Sequence, residues 1–178
     1  MPVTIVATPA ASNANSYATE AEALAYNSGH VSGETYSDAD TDVQRRALAT
    51  ATRLIDSHLK FIGSPTTTTQ ALAFPRVGLV DPVTGAAIDS MAVPVFVKYA
   101  TAEYARLLIV ADPTKPQDAE IAGLESMKAG DVELKFRSAV EAGASPSRVT
   151  LPPSVTAFLA SFMDQATVNA SVRRLQRC

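Results

Sequence analysis

The sequence predicts a mainly α-helical protein: a small helical bundle with a long extended loop, a short β-hairpin and a C-terminal tail. Three observations carry that prediction. Hydrophobic residues make up 47% of the chain, yet aromatics are only 6% and tryptophan is absent, so close packing falls to small, helix-favouring residues such as alanine. Two long segments repeat apolar residues at three- and four-residue steps, and one short segment alternates with period two.

The first helix is expected from Ser16, where Thr19 and Glu22 form an S/T-x-x-E capping pattern and Ala21, Leu24 and Ala25 give a weak apolar face. Asn27-Ser28-Gly29 ends it, and the polar stretch "VSGETYSDADTD" reads as a connector. The clearest helix follows, with Val43, Ala47, Ala51, Ile55, Leu59 and Ile62 on one stripe and Gly63 as its expected C-terminal cap. Prolines at 65, 75 and 82 then make residues 63–93 an extended excursion.

Pro94 opens a third helix whose face is Val97, Ala100, Tyr104, Leu107 or Leu108, and Ala111, stopped by Asp112-Pro113. A hairpin is expected over about 124–137, because Val132, Leu134 and Phe136 alternate with Glu133, Lys135 and Arg137 after the reversal Ala129-Gly130-Asp131. Pro152-Pro153 opens a last short helix with Val155, Phe158, Leu159 and Phe162 facing inward. The expected organisation is an arm over 1–15, one helical domain over 16–164, and a tail over 165–178.

Charge and cysteine content narrow the function. A net charge of -3 argues against holding nucleic acid by broad phosphate neutralisation. The one cysteine, Cys178, forms neither an intrachain disulfide nor a cysteine zinc site, which fits a reducing compartment. The N-terminal "MPVTIVATPAASNANS" lacks a signal-peptide pattern, and no apolar run reaches the roughly 20 residues that span a bilayer. The chain reads as cytosolic, with no membrane role.

Few residues suggest chemistry. Asp38, Asp40 and Asp42 resemble the start of a calcium loop, but Val43 replaces the glycine of the sixth position and Ala49 the glutamate of the twelfth. Those acids are better read as favouring a helix N-terminus. Ser57-His58-Leu59-Lys60 has S-x-x-K spacing without its companion motifs, and His30 and His58 are isolated. No phosphate-binding glycine motif occurs, so the expectation is no enzyme, no metal and no cofactor. The tail is an amphipathic peptide, with Val168, Val172 and Leu175 spaced by four and three and Arg173, Arg174 and Arg177 largely on other sides. It reads either as a segment that docks on an acidic partner or as a solvated terminus.

Taken in order, "NSYATEAEALAY", "ALATATRLIDSHLKFIG", "QALAFPRVGLVD", "VPVFVKYATAEYARLL", "GLESMKAGDVELKF" and "LPPSVTAFL" resemble the phage head-tail connector (portal adaptor) family, which includes proteins described as DnaT-like single-stranded DNA-binding proteins. The resemblance implies a non-enzymatic virion component at the neck, made in the host cytoplasm. Its subunits form a ring, typically of twelve, between the portal protein and a tail-completion or stopper protein, and double-stranded DNA passes through without specific binding. It assigns portal binding to Val168, Val172, Arg173, Arg174, Leu175 and Arg177. In "QALAFPR", Pro75 biases Phe74 toward an extended shape, so that Leu72 and Phe74 pack on the subunit. Arg76 then meets an acidic group within the subunit or across the ring, or else anchors the loop locally. The rival expectation is a single-stranded DNA-binding protein, which calls for aromatic stacking platforms in a basic groove; the sequence displays neither clearly.

Overall fold

The computed structural model describes residues 3–111, 126–129, 132–135 and 151–164, the two strand segments by their backbone alone. The chain divides into two compact units, residues 1–111 with 151–178, and residues 112–150. In the larger unit α1 spans Glu20–Ser28, α2 Glu34–Ser37, α3 Thr41–His58, α4 Val95–Val110 and α5 Pro153–Leu159, the last running into a 3-10 turn over Ala160–Phe162. The fold is mainly helical, as the composition and periodicity required.

Helix α4 is the centre, packed against α1, α2, α3 and α5. Val97, Ala100, Thr101, Ala102, Glu103, Tyr104, Ala105, Arg106 and Leu108 are all buried, so no stripe pattern survives on a helix that is covered on most sides. The threonines inside the helices satisfy themselves, Thr101 donating to the Val97 carbonyl at 2.9 Å and Thr52 to the Leu48 carbonyl at 3.0 Å. Glu103 and Arg106, both buried, pair with each other at 2.7 Å, which is how α4 tolerates two charges in the core.

Helix α1 starts later than Ser16. Thr19 is its N-cap, and both halves of the capping box form: Glu22 N–H donates to Thr19 Oγ1 at 3.2 Å and Thr19 N–H donates to Glu22 Oε2 at 2.8 Å. Ser16, Tyr17 and Ala18 are buried ahead of it. The polar connector contains a turn of helix, α2, because Tyr36 buries completely within it. Gly33 precedes that turn where a Cβ would lie 1.8 Å from the Asn27 carbonyl oxygen.

Helix α3 buries Ala47, Leu48, Ala51, Thr52 and Ile55 as its stripe predicts, but it stops at His58 rather than at Gly63. The reason is a competing partner for residues 60–62. Ile62 N–H donates to the Phe162 carbonyl at 2.9 Å, Asp164 N–H donates to the Lys60 carbonyl at 2.9 Å, and Phe61 bridges Met163. Gly63 instead turns the chain at φ 73°, with its α-carbon so close to the Val77 carbonyl that a Cβ would lie 2.3 Å away. It leads into a two-residue pairing of β1 (Ser64–Pro65) with β2 (Arg76–Val77). No helix forms between 63 and 93.

In the smaller unit, β3 (Ser126–Ala129) pairs antiparallel with β4 (Val132–Lys135), Ala129 opposite Val132 and Ser126 opposite Lys135. This is the predicted hairpin. Phe136, Arg137 and the reversal at Gly130-Asp131 lie outside the described residues.

Candidate functional site

The segment around "QALAFPR" is held from within its own unit. Phe74 is 2% exposed and its ring meets those of Tyr17, Phe61 and Phe162 edge-on, with centroids at 5.7, 4.7 and 6.2 Å. The Phe74-Pro75 peptide bond is cis, and Pro75 is buried. Gln70 braces the bend, its Nε2 donating to the carbonyls of Leu72 at 2.7 Å and Pro75 at 3.1 Å.

Beneath this bend lies a buried polar knot. The Tyr17 hydroxyl donates to Asp56 Oδ1, Ala73 N–H donates to Asp56 Oδ2 at 3.1 Å, and Phe74 N–H donates to Tyr17 Oη at 3.3 Å. Burial raises the Asp56 carboxyl above its ordinary range, an effect that the Tyr17 and Ala73 donors and the Arg76 charge only partly offset. Burial and the neighbouring Asp56 charge raise the Tyr17 phenol.

Arg76 is held by backbone carbonyls of its own chain. Its guanidinium donates to four carbonyls: Nε to Ile62 at 2.7 Å, Nη1 to Ala73 at 3.1 Å, and Nη2 to Phe61 at 3.1 Å and Gly63 at 2.6 Å. Among the described residues no carboxylate lies within ion-pairing distance of it. The planar fork of donors, which also suits a carboxylate, here reaches carbonyls arriving from two directions. Leu72 is half-buried and lines a groove with Arg46 and Arg53.

A different site opens between α1 and α4. Glu22, Ala25, Tyr26, Val93, Val95, Lys98 and Tyr99 line an open pocket of about 640 Å³. Tyr26 and Tyr99 lie with ring centroids 5.2 Å apart and planes 35° from each other. Phe158 of α5 supports both from the side, edge-on at 6.2 Å from each. Tyr99 remains 39% exposed and Val95 47%. Lys98 Nζ reaches Glu22 Oε1 at 2.6 Å, so the polar edge of the pocket is a closed ion pair. Burial and then the Glu103 charge raise the Tyr26 phenol, with the Arg106 charge partly opposing them.

Sequence reasoning passed over Tyr26 and Tyr99, although a signal was present. Tyr99 stands five residues before the buried Tyr104, about 140° round the helix, and so falls off the expected face. An aromatic residue away from the core stripe needs another reason to be there.

The other sequence-predicted residues are accounted for differently. Val168, Val172, Arg173, Arg174, Leu175 and Arg177 lie outside the described residues. Asp40 caps α3 by accepting from Asp42 N–H at 2.8 Å, and among the described residues no group of His, Cys, Asp or Glu could hold a metal ion. The Ser57 hydroxyl donates to the Leu54 carbonyl at 3.1 Å and lies 2.9 Å from His58 Nδ1 on an exposed helix end. His30 Nε2 stands 3.9 Å from Glu103. Among the described residues no helix is long and apolar enough to cross a membrane.

The model of one protein family, described as "Putative DnaT-like ssDNA binding protein", matches residues 1–178. The chain belongs to that family. No curated protein matches it, and no solved structure matches it. Membership corrects the resemblance drawn from the ordered segments. The matched family's description is of single-stranded DNA binding, not of head-tail connectors. The twelvefold ring and the portal and tail-completion partners fall with the connector reading. A net charge of -3 sums over the whole sequence and is silent on where aromatic faces stand beside individual cations.

Proposed function

We propose that this protein binds single-stranded DNA, and that unpaired bases stack in the Tyr26–Tyr99 pocket. The carrying observation is the exposed Tyr99 ring, braced by Tyr26 and Phe158 in an open pocket. Stacking is what distinguishes a single strand from a duplex, since only unpaired bases offer a free face, and it is tolerant of sequence. Rigid support matters because a ring already held by its neighbours loses little freedom when a base arrives. The Lys98–Glu22 pair presents one donor and one acceptor group at the rim, suited to a base edge more than to a phosphate. Membership of the family supports the same reading. The proposed role is binding, without turnover.

The test is fluorescence anisotropy of a labelled homothymidine oligonucleotide with wild-type protein, Tyr99→Ala and Tyr99→Phe. Loss of one stacking face costs about 1–3 kcal/mol, so Tyr99→Ala weakens binding while Tyr99→Phe retains most of it. Equal affinity for all three proteins contradicts the proposed site.

A further inference from the structure

A second feature lies outside the stacking site: a groove of about 500 Å³ on the α3 face, lined by Val3, Ala14, Asn15, Arg46, Thr50, Arg53 and their neighbours. Arg46 and Arg53 are seven residues apart on α3, within about 20° of each other round the helix and about 10 Å apart along it. Both are exposed. Arg45, next in sequence, is held by Glu20 at 3.0 Å and Asp42 at 3.7 Å. Among the described residues neither Arg46 nor Arg53 has a carboxylate within 4.0 Å, and Arg53 makes only a 3.2 Å bond to Thr50. Among the described residues one wall is therefore a pair of unneutralised guanidiniums.

The opposite wall is built rather than loose. Asn15 accepts from Val6 N–H at 2.8 Å, donates to the Thr4 carbonyl at 2.8 Å, and sends its own N–H to the Val6 carbonyl at 2.9 Å. Ala71 N–H donates to the Ala11 carbonyl at 3.1 Å, tying the arm to the loop that carries Leu72. The chain's own tail is a poor occupant, since residues 165–178 hold three arginines and no aspartate or glutamate.

We infer that this groove is a track for the sugar-phosphate backbone of a polynucleotide, Arg46 and Arg53 each taking one phosphate while Leu72, Val3 and Ala14 contact the sugars. Guanidinium geometry favours such oxyanions. This deepens the single-strand reading and rests on it for the identity of the strand. It also divides the labour: the neutral rim at Tyr99 takes bases, and the cationic groove takes charge.

The experiment measures affinity against salt for a homothymidine oligonucleotide and for an abasic deoxyribose-phosphate oligomer of equal length, using wild type, Arg46→Gln/Arg53→Gln and Tyr99→Ala. Two phosphate contacts on a single strand contribute about 1.4 to the log–log salt slope. The arginine double variant loses that slope with both oligomers, so a fourfold rise in salt weakens wild type about sevenfold more than the variant. Tyr99→Ala loses affinity for the homothymidine strand at unchanged slope. Nε–Hε resonances of Arg46 and Arg53 shift on adding the abasic oligomer.

An unchanged slope in the double variant, with oligonucleotide binding intact, overturns the groove and leaves the stacking reading standing. If wild type binds no homothymidine, the stacking reading falls. The groove is then decided by the abasic oligomer, whose failure to move the arginine resonances overturns it. Displacement by polyglutamate with the same arginine dependence, while the abasic oligomer shifts nothing, assigns the groove to an acidic peptide and overturns the proposal.

Discussion

Replacing Arg76 with lysine keeps the charge and removes the fork. The side chain makes four hydrogen bonds to the carbonyls of Phe61, Ile62, Gly63 and Ala73, three of them partly buried and the Gly63 bond exposed. A hydrogen bond from a charged donor contributes about 1.5–3 kcal/mol, and the exposed one is replaced by water at little cost. A lysine ammonium occupies one point and cannot reach carbonyls from residues 61–63 and from Ala73 together. Loss of one to two partly buried bonds predicts that Arg76→Lys destabilises by about 2 kcal/mol or more, and loss of all three that Arg76→Ala destabilises by about 5 kcal/mol. Urea unfolding followed by circular dichroism measures both. The comparison is informative because Asp56 also stabilises the Arg76 charge through space. Should lysine match wild type while alanine does not, charge rather than geometry holds the bend, and the argument from the carbonyl fork is wrong.

Asp56 gives a pH signature. Its folded carboxyl is raised by burial, so between its ordinary value and its higher folded value the native state binds more protons than the unfolded one. Stability from this group is therefore present at acid pH and declines as pH rises through that window. Asp56→Asn removes that decline, seen as a flatter plot of unfolding free energy against pH. Glu22, lowered by its Lys98 and Thr19 hydrogen bonds despite opposing desolvation, has the other sign: its contribution is lost as pH falls through its folded value, and Glu22→Gln abolishes that loss. At Gly33 an added methyl would sit 1.8 Å from a backbone oxygen. Gly33→Ala is expected to destabilise by about 1–3 kcal/mol, and a thermal midpoint equal to wild type would show that the α1–α2 turn yields freely.

The helices were legible because their signals are local. Thr19 and Glu22 specify a capping box within four residues, and the Ala47 to Ile55 stripe specifies the buried side of α3. Pro94 and Pro152 sit just before α4 and α5 as N-caps. What the sequence concealed depends on distant partners. Helix α3 ends early because Phe61 and Ile62 pair with Met163 and Phe162, about a hundred residues away. Tyr36 looks like part of a polar connector until its burial is known. Arg76 was visible as a cation after a proline, but three of its four carbonyl partners, Phe61, Ile62 and Gly63, come from a segment that the helical stripe had claimed. The Tyr26, Tyr99 and Phe158 cluster joins three helices that no short window contains.

The central claim is tested most directly by competition between strands. A labelled single-stranded oligonucleotide is bound at about 50 mM salt and challenged with its unlabelled single strand or with the matching duplex. Binding through exposed tyrosine faces predicts that the single strand displaces the label and the duplex does so far less well. Equal displacement by the duplex, or no binding of either, contradicts it.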